Sequence, residues 1–329
     1  MSDTVLGHPA NIHLESCLAP FGGHLGRHDV TDIYVNRTGE LWVETLGGGI
    51  ERHDAPALTQ PLLLRFARQM AAITAQGINR EHPILSAMLP TGERVQIIIP
   101  PATRGEVAIA IRKHCMAGLA LDDYGHNGAF DATQILGPGE GMGIRHEWEA
   151  GDDHIGLLRE AIHKRRNILV SGGTSSGKTT FLNALLREIP AHERLILIED
   201  TPELLLVHDN ALGLITPRSA LGEADVSAED LLIASLRMRP DRIILGEIRG
   251  KEAATFLRAV NTGHPGSLTT IHADSPARAL DQLALLVLQT GIRMGWEDVM
   301  TYVKRSLDMI VQLNRGSGGR SVQQVMLCR

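Results

Sequence analysis

The chain has 329 residues, 43% of them hydrophobic and 21% charged, and its formal net charge is -6. This length suits about two domains, and the composition is that of a soluble globular protein with a full core. The negative charge argues against a general nucleic-acid binder, because neutralising phosphates requires a basic surface. We therefore expect no direct sequence-specific contact with nucleic acid.

Cysteine usage and apolar patterning indicate where the protein works. Cys17, Cys115 and Cys328 have neither metal-ligand spacing nor the even number of a disulfide framework, which suits a reducing cytoplasm. Residues 1–20 lack the basic and apolar regions of a secretory signal, and no run reaches the roughly 18 apolar residues of a membrane span. Any work at a membrane is expected from its surface or through partners.

Residues 1–135 are predicted to form a mixed α+β domain. Two short apolar segments around a glycine turn predict a hairpin over 32–44. Helical spacing of Leu, Phe, Met and Ile predicts a helix over 62–75, and 94–99 is typical of a strand that ends at two prolines. Periodicity alone leaves 107–113 open between a short strand and a helix.

A linker is predicted over 136–150, because 137–143 is rich in glycine and has no periodicity. A lid over a site is the alternative for this segment. Strands and helices alternate over 151–329, and the short apolar runs are typical of a sheet covered on both faces. This pattern predicts a doubly wound α/β domain. Its predicted strands are 167–170, 194–198 and 242–245, its helices 228–237 and 251–260, and its closing hairpin 308–313 with 321–326.

Residues 172–179, GGTSSGKT, fit the phosphate-binding pattern G-x-x-x-x-G-K-[ST]. A predicted strand precedes them and a helical pattern follows, as a strand–loop–helix phosphate cradle requires; a chance glycine- and serine-rich loop is the alternative. Lys178 supplies a charge for the β- and γ-phosphates, and the Thr179 hydroxyl ligates Mg²⁺. The expected nucleotide-binding residues are Gly172, Gly173, Thr174, Ser175, Ser176, Gly177, Lys178, Thr179 and Thr180.

Two acidic clusters follow predicted strands, at 199–203 and at Glu247. In an open α/β sheet the ligand lies outside the carboxyl ends of the strands, so both clusters should face the phosphates. Glu247 occupies the place of the Asp that usually ends a Walker B strand. Capping of the next helix is the alternative for each cluster.

Basic and histidine residues lie near these clusters in the sequence. Arg237 or Arg249 could stabilise the charge of the transition state, which is worth roughly 10³–10⁵ in rate, or pair with surface carboxylates. His264 and His272 are eight residues apart with no third ligand in evidence, so a metal site is poorly supported. A polar sensor at the end of a strand is the preferred role.

Four segments in this order resemble the Walker A, Asp box, Walker B and His box of the secretion-traffic ATPases. They are residues 172–180, 198–203, 237–249 and 263–273. The resemblance is strongest to the hexameric ATPases of type IV secretion and conjugative transfer systems, with relatives in type II secretion and type IV pili. It implies a RecA-like P-loop ATPase domain at the C-terminus and a smaller α+β domain at the N-terminus.

The resemblance extends to residues 83–96, 100–101 and 111–113, which are similar to the segments with which that family's N-terminal domain closes over nucleotide. It therefore covers nearly the whole chain except residues 1–28, which carry no motif. It implies that Arg94 and Arg112 reach the nucleotide from the N-terminal domain.

For the C-terminal domain the resemblance implies the following roles. Lys178 and Thr179 hold phosphate and Mg²⁺, Glu203 polarises the attacking water, and Glu247 supports the metal or that water. His272 senses the γ-phosphate.

The expected function is that of an ATPase in a six-membered ring, at the cytoplasmic side of a bacterial inner membrane and docked on membrane components of a type IV secretion or conjugation complex. The four-cysteine metal insert of many type II secretion relatives is absent, which favours this branch. Three alternatives stay open: a type IV pilus or type II secretion motor, a nucleotide-dependent assembly scaffold, and a small-molecule P-loop kinase.

Overall fold

The computed structural model describes residues 9–45, 48–113, 118–137, 153–216, 226–316 and 319–328. These residues divide into two units. The described residues up to 113 belong to the first unit, and those from 118 onward belong to the second.

The first unit is built on an antiparallel sheet of six strands in the order β3-β2-β1-β6-β5-β4. Its strands are β1 (Val30–Val35), β2 (Gly39–Thr45), β3 (Ile50–Ala55), β4 (Ile84–Met88), β5 (Arg94–Ile98) and β6 (Ala108–Arg112), and its helices are α1 (Pro9–Leu25) and α2 (Gln60–Ile73). The predicted hairpin, helix and strand are confirmed, and β6 resolves the segment that periodicity left open.

One face of this sheet is buried beneath the two helices. Alternate residues such as Ile109 and Ile111 point to the core, as expected for an antiparallel sheet with one solvated face. Phe21 of α1 and Phe66 of α2 are fully buried, with ring centroids 5.8 Å apart. This pairing gives α1, for which the sequence offered no motif, its place in the core.

The second unit has an eight-stranded sheet in the order β10-β9-β11-β12-β8-β13-β14-β7. The six strands β10, β9, β11, β12, β8 and β13 are parallel to one another. Strand β14 is antiparallel to β13, and β7 is parallel to β14. The elements are α3 (Leu121–His126), β7 (Gln134–Leu136), α4 (His154–His163), β8 (Ile168–Gly172), α5 (Lys178–Arg187), β9 (Leu195–Glu199), β10 (Ala211–Ile215), α6 (Ala228–Ser235), β11 (Arg242–Leu245), α7 (Glu252–Asn261), β12 (Leu268–Ile271), α8 (Pro276–Leu288), α9 (Trp296–Ser306), β13 (Met309–Gly316) and β14 (Gly319–Leu327).

Hydrophobic cores cover both faces of this sheet. In β11, Ile243 and Leu245 pack into one core and Ile244 packs into the other, and every residue of the strand is buried. The predicted strands are continuous apolar runs for this reason, since neither face meets water. The predicted doubly wound α/β domain and its closing hairpin are confirmed.

Residues 118–137 are part of the second unit, whereas the sequence analysis assigned the chain up to 135 to the N-terminal domain. Strand β7 extends the second sheet by pairing with β14, and the backbone N–H of Val322 donates to the carbonyl of Ala129. These are non-local pairings that periodicity does not reveal. Most of the predicted linker, 136–150, lies outside the described residues.

A buried ion pair lies at the amino ends of the parallel strands. Arg242, the first residue of β11, is fully buried and donates two hydrogen bonds to Glu193, at 2.7 and 2.8 Å. Arg165 donates a third at 3.0 Å. Burial would raise the pKa of Glu193, but the hydrogen bonds and charges of these arginines outweigh it and lower the pKa.

Within the described residues, no helix has the length and apolar character needed to cross a lipid bilayer.

Candidate nucleotide site

The candidate site lies at the carboxyl ends of four adjacent parallel strands, β9, β11, β12 and β8. Each strand is followed directly by a segment that the sequence analysis singled out. Because parallel strands end at the same edge of a sheet, the fold brings these four segments together.

The P-loop connects β8 to α5, as predicted. Gly177 has a left-handed backbone, φ +92°, which a side chain would strain, and it immediately precedes the helix. Lys178 is nearly buried, and its Nζ donates to the carbonyls of Gly172 (2.8 Å) and Gly173 (3.1 Å). The same Nζ lies 3.1 Å from Nδ1 of His272. The ammonium therefore occupies the mouth of the loop and faces the His box.

The remaining P-loop residues differ in exposure. Thr174 is exposed, while Ser176 is buried and donates its hydroxyl to a loop carbonyl at 2.9 Å. Ser175 has φ +60°. Thr179 and Thr180 are half-buried in the first turn of α5, where backbone N–H groups have no partner within the helix.

His272 links the P-loop to the Walker B segment. An ammonium has no lone pair, so Nδ1 accepts from Lys178, and the ring N–H is at Nε2, 3.1 Å from Oε1 of Glu247. Burial, aided by the charges of Lys178 and Arg249, lowers the pKa of His272. The lowered pKa favours a neutral ring, and its Nε2 faces Oε1 of Glu247 at 3.1 Å.

Arg249 joins the two acidic clusters. Its guanidinium donates to Oε2 of Glu247 at 2.6 Å and to Oδ2 of Asp200 at 2.5 Å. The contacts therefore run from Lys178 through His272, Glu247 and Arg249 to Asp200, across all four strand ends. Asp200 belongs to an acidic segment that was predicted from the sequence, where it had no assigned role, and only strand order reveals its partner.

The segment after β9 is held by a buried carboxylate and a helix side chain. Oε1 of Glu199 accepts the backbone N–H groups of Glu203 and Leu204, each at 2.8 Å. Asn183 of α5 donates to the carbonyl of Glu203 at 3.0 Å and accepts the N–H of Leu205 at 2.8 Å. The backbone of Glu203 is thus fixed to the P-loop helix. Asn183 was missed, although a polar residue within an apolar helix is a signal for such a contact.

Arg237 and His264 lie at the amino ends of the parallel strands, and the P-loop lies at their carboxyl ends. Arg237 is exposed and lies just before β11, at the amino ends of the parallel strands. The P-loop follows β8, at their carboxyl ends. His264 precedes β12 and donates from Nδ1 to the carbonyl of Pro240 at 3.0 Å. The two histidines therefore lie at opposite ends of one strand.

Across the described residues, no group of three His, Cys, Asp or Glu side chains is arranged to hold a metal ion.

Arg94 and Arg112 lie opposite each other on β5 and β6 of the first unit. Arg112 is about half exposed and donates to Oδ1 of Asp32 at 2.8 Å, and this hydrogen bond raises the pKa of the guanidinium. The antiparallel register places the two arginines on one face of the sheet.

A parallel sheet whose strand leads through a phosphate-cradling loop into a helix defines a P-loop nucleotide-binding protein of the RecA-like α/β class. The family model described as Type II/IV secretion system protein matches residues 149–322, and the chain belongs to this family.

Relatives cover almost the whole chain. It is 35% identical over 324 residues to the type IV secretion system protein VirB11 of Bartonella quintana (strain Toulouse), across 94% of this chain and 91% of that protein. It is 38% identical over 328 residues to VirB11 of Brucella suis biovar 1 (strain 1330), across 96% and 89%. The family predicted from the motifs is confirmed.

Solved structures support the same fold. The VirB11 ATPase from the Brucella suis type IV secretion system, in complex with sulphate, has a TM-score of 0.51 and 34% identity, covering 97% of this chain and 95% of that one. The pilus retraction motor PilT with bound ADP has a TM-score of 0.61 at 22% identity, covering 95% and 82%. The second match shows the fold alone, and the predicted RecA-like domain is confirmed.

Proposed function

We propose that the chain hydrolyses ATP with Mg²⁺ as the motor of a type IV secretion or conjugative DNA-transfer system. The observation that carries this proposal is the continuous run of contacts from Lys178 to Asp200. It provides a cation for the phosphates, carboxylates for a metal or water, and an arginine beside them, which are the components that phosphoryl transfer needs.

Bound phosphate would replace the present hydrogen-bond acceptors of Lys178. The ammonium now donates to two loop carbonyls and to His272. A polyphosphate in the cradle would accept those hydrogen bonds instead, and Nδ1 of His272 would lose its donor. His272 would then transmit the presence of phosphate to Glu247, whose Oε1 lies 3.1 Å from the other ring nitrogen.

The residues at the site fit a bound Mg²⁺. The Thr179 hydroxyl and the Glu247 carboxylate supply the oxygen ligands that this ion prefers. Oε2 of Glu247 accepts from Arg249 at 2.6 Å and Oε1 lies 3.1 Å from Nε2 of His272, so Glu247 would hold the ion through water rather than directly. When bound, the ion neutralises charge on the β- and γ-phosphates.

Glu203 is proposed to orient the attacking water. Its backbone is fixed by Glu199 and Asn183, which sets the point from which its side chain extends relative to the P-loop helix. The water oxygen would bond to the γ-phosphorus and pass a proton to the Glu203 carboxylate, while the bond between the γ-phosphorus and the bridging oxygen breaks; the products are ADP and phosphate. Arg249, held by two carboxylates, would stabilise the developing charge.

The remaining arginines are proposed to act through assembly and domain closure. Arg94 and Arg112 would contact phosphate from the N-terminal unit. Arg237 lies at the far edge of its own sheet, so it would reach only the nucleotide of a neighbouring subunit. A homohexameric ring at the cytoplasmic face of a bacterial inner membrane, docked on membrane components of the secretion complex, would provide that neighbour.

Two variants test the enzyme assignment by phosphate release. Lys178→Ala should lose both ATP binding and turnover, because the phosphates lose their buried cation. Glu203→Gln should still bind ATP but turn over about a hundredfold more slowly or worse, as expected when a general base is removed.

Glu160→Gln, which removes an exposed carboxylate that pairs with Lys164, is the control and should behave as the parent. Parental turnover in Glu203→Gln would reject Glu203 as the water-orienting residue. A parent protein that binds ATP without turnover would favour the assembly scaffold over the motor.

A further inference from the structure

The β13–β14 hairpin lies beside the P-loop in the second unit. Strand β13 is the parallel neighbour of β8, with Leu313 in register with Gly172, the first residue of the loop. Strand β14 returns antiparallel to β13 and places Arg320 opposite Arg315. The hairpin therefore continues past the point where the P-loop begins.

Arg320 packs against the P-loop itself. A Cβ atom on Gly177 would lie 3.0 Å from Cδ of Arg320 and 3.5 Å from its Nε. Arg320 is exposed, and within the described part of the chain no carboxylate forms an ion pair with it. Its charge also acts on Tyr124: burial raises the pKa of this phenol to about 12, and the arginine opposes that rise. A guanidinium thus stands at the phosphate cradle without a described counter-charge.

Strand order decides which end of a nucleotide Arg320 would meet. His272, Glu247 and Asp200 follow β12, β11 and β9, which lie on one side of β8, and the hairpin lies on the other. Lys178 extends towards His272, so the β- and γ-phosphates face that side. The α-phosphate and ribose must then point towards the hairpin.

We propose that Arg320 binds the α-phosphate of the nucleotide, as a recognition residue outside the four sequence motifs. This inference rests on the proposed ATPase function. Arginine suits the role because its planar donors match phosphate oxygens and its charge is retained at all relevant pH values. Gly177 permits both the left-handed turn of the P-loop and the close approach of Arg320, since a side chain there would strain the loop and displace Arg320.

The test is to measure the affinities of AMP, ADP and ATP for the full-length Arg320→Ala protein. Each should weaken by the same factor, about tenfold, because the one phosphate common to all three loses a charge-assisted hydrogen bond. The kcat at saturating ATP should stay within about twofold, since the α-phosphate is not transferred. Arg320→Lys should recover part of the affinity.

Arg258→Ala is the matched control, because Arg258 is exposed in the last turn of α7, far from the P-loop edge. Equal affinities for the parent and Arg320→Ala would overturn the inference and leave the ATPase assignment intact. A loss confined to ATP would overturn it as well, because it would mean contact with the γ-phosphate. A parent protein that binds none of the three nucleotides would instead reject the proposed function.

Discussion

Lys178 is the residue that links the P-loop to the other segments of the candidate nucleotide site. It combines burial, two backbone carbonyls and a neutral imidazole as partners. Burial lowers the pKa of Lys178 to about 8, Arg249 contributes to this fall, and Glu247 opposes it. The carbonyls and His272 thus hold in place a cation that is less stable there than in water.

Nucleotide binding should therefore be coupled to the protonation of Lys178. A polyphosphate favours the charged ammonium, so it raises the pKa of Lys178 in the complex above the value of about 8 in the free site. At about pH 9 we expect ADP binding to take up approaching one proton per nucleotide, and affinity to fall as pH rises through 8. Titration calorimetry in two buffers of different ionisation enthalpy measures this uptake.

The control for the proton uptake is Lys178→Arg, whose guanidinium stays protonated at this pH. This variant should show no buffer-dependent heat from this position. Equal heats for the parent protein in both buffers at about pH 9 would contradict a lowered pKa at Lys178.

At the scale of elements, the amino ends of the strands are held by a charge cluster that no motif reveals. Gly266, in the turn between α7 and β12, has φ +81°, and a Cβ atom there would lie 2.9 Å from both Cα of Arg165 and Nη1 of Arg242. The glycine lets the turn approach the buried ion pair of Arg242 and Glu193. Part of the His box therefore serves packing rather than nucleotide chemistry.

Glu193→Gln should destabilise the second unit strongly. The variant leaves Arg242 fully buried without its counter-charge, and breaking a buried ion pair costs about 3–5 kcal/mol. The expected result is a lower free energy of unfolding in urea, followed by far-ultraviolet circular dichroism.

The matched control for this loss is again Glu160→Gln on α4, which breaks an ion pair between two exposed side chains. Exposed pairs contribute at most about 1 kcal/mol, so this variant should unfold near the parental midpoint. Similar losses in the two variants would contradict a special role for the buried pair.

At the scale of the whole molecule, the proposal requires two units and several copies to act on one nucleotide. Arg94 and Arg112 belong to the first unit, the P-loop belongs to the second, and Arg237 precedes β11 whereas the P-loop follows β8. Arginines that neutralise the γ-phosphate only while it is present would make the closed arrangement depend on hydrolysis.

The prediction for the whole molecule concerns Arg112→Ala. With Mg²⁺ and ATP, light scattering should give a mass about six times the 35.7 kDa of one chain for both the parent and the variant. The variant should have a KM for ATP about tenfold higher, because one charge-assisted contact to phosphate is lost.

Arg68→Ala, an exposed arginine on α2 of the same unit, controls for the change in charge. An unchanged KM in Arg112→Ala would reject the contribution of the first unit to nucleotide binding. A parent protein that stays monomeric with ATP would reject the ring.

Secondary structure was predictable wherever periodicity was strong. The runs that became β9 and β11 are apolar because both sheet faces are covered, and α2 shows one apolar stripe. Weak patterns failed: β7 has three residues, and α1 shows little segregation of apolar from polar positions. Only the contacts those elements make reveal where they belong.

The amino-acid sequence by itself determined the phosphate cradle, the acidic segments and the family, because each depends on residue types at fixed spacing. The tertiary structure decided which of those residues meet. Strand order joins Lys178 to Asp200 through His272, Glu247 and Arg249, sends Arg237 to the far edge and places Arg320 at the loop. Spacing along a chain carries no information about which strands become neighbours, and contacts between strand ends depend on the order of strands in the sheet.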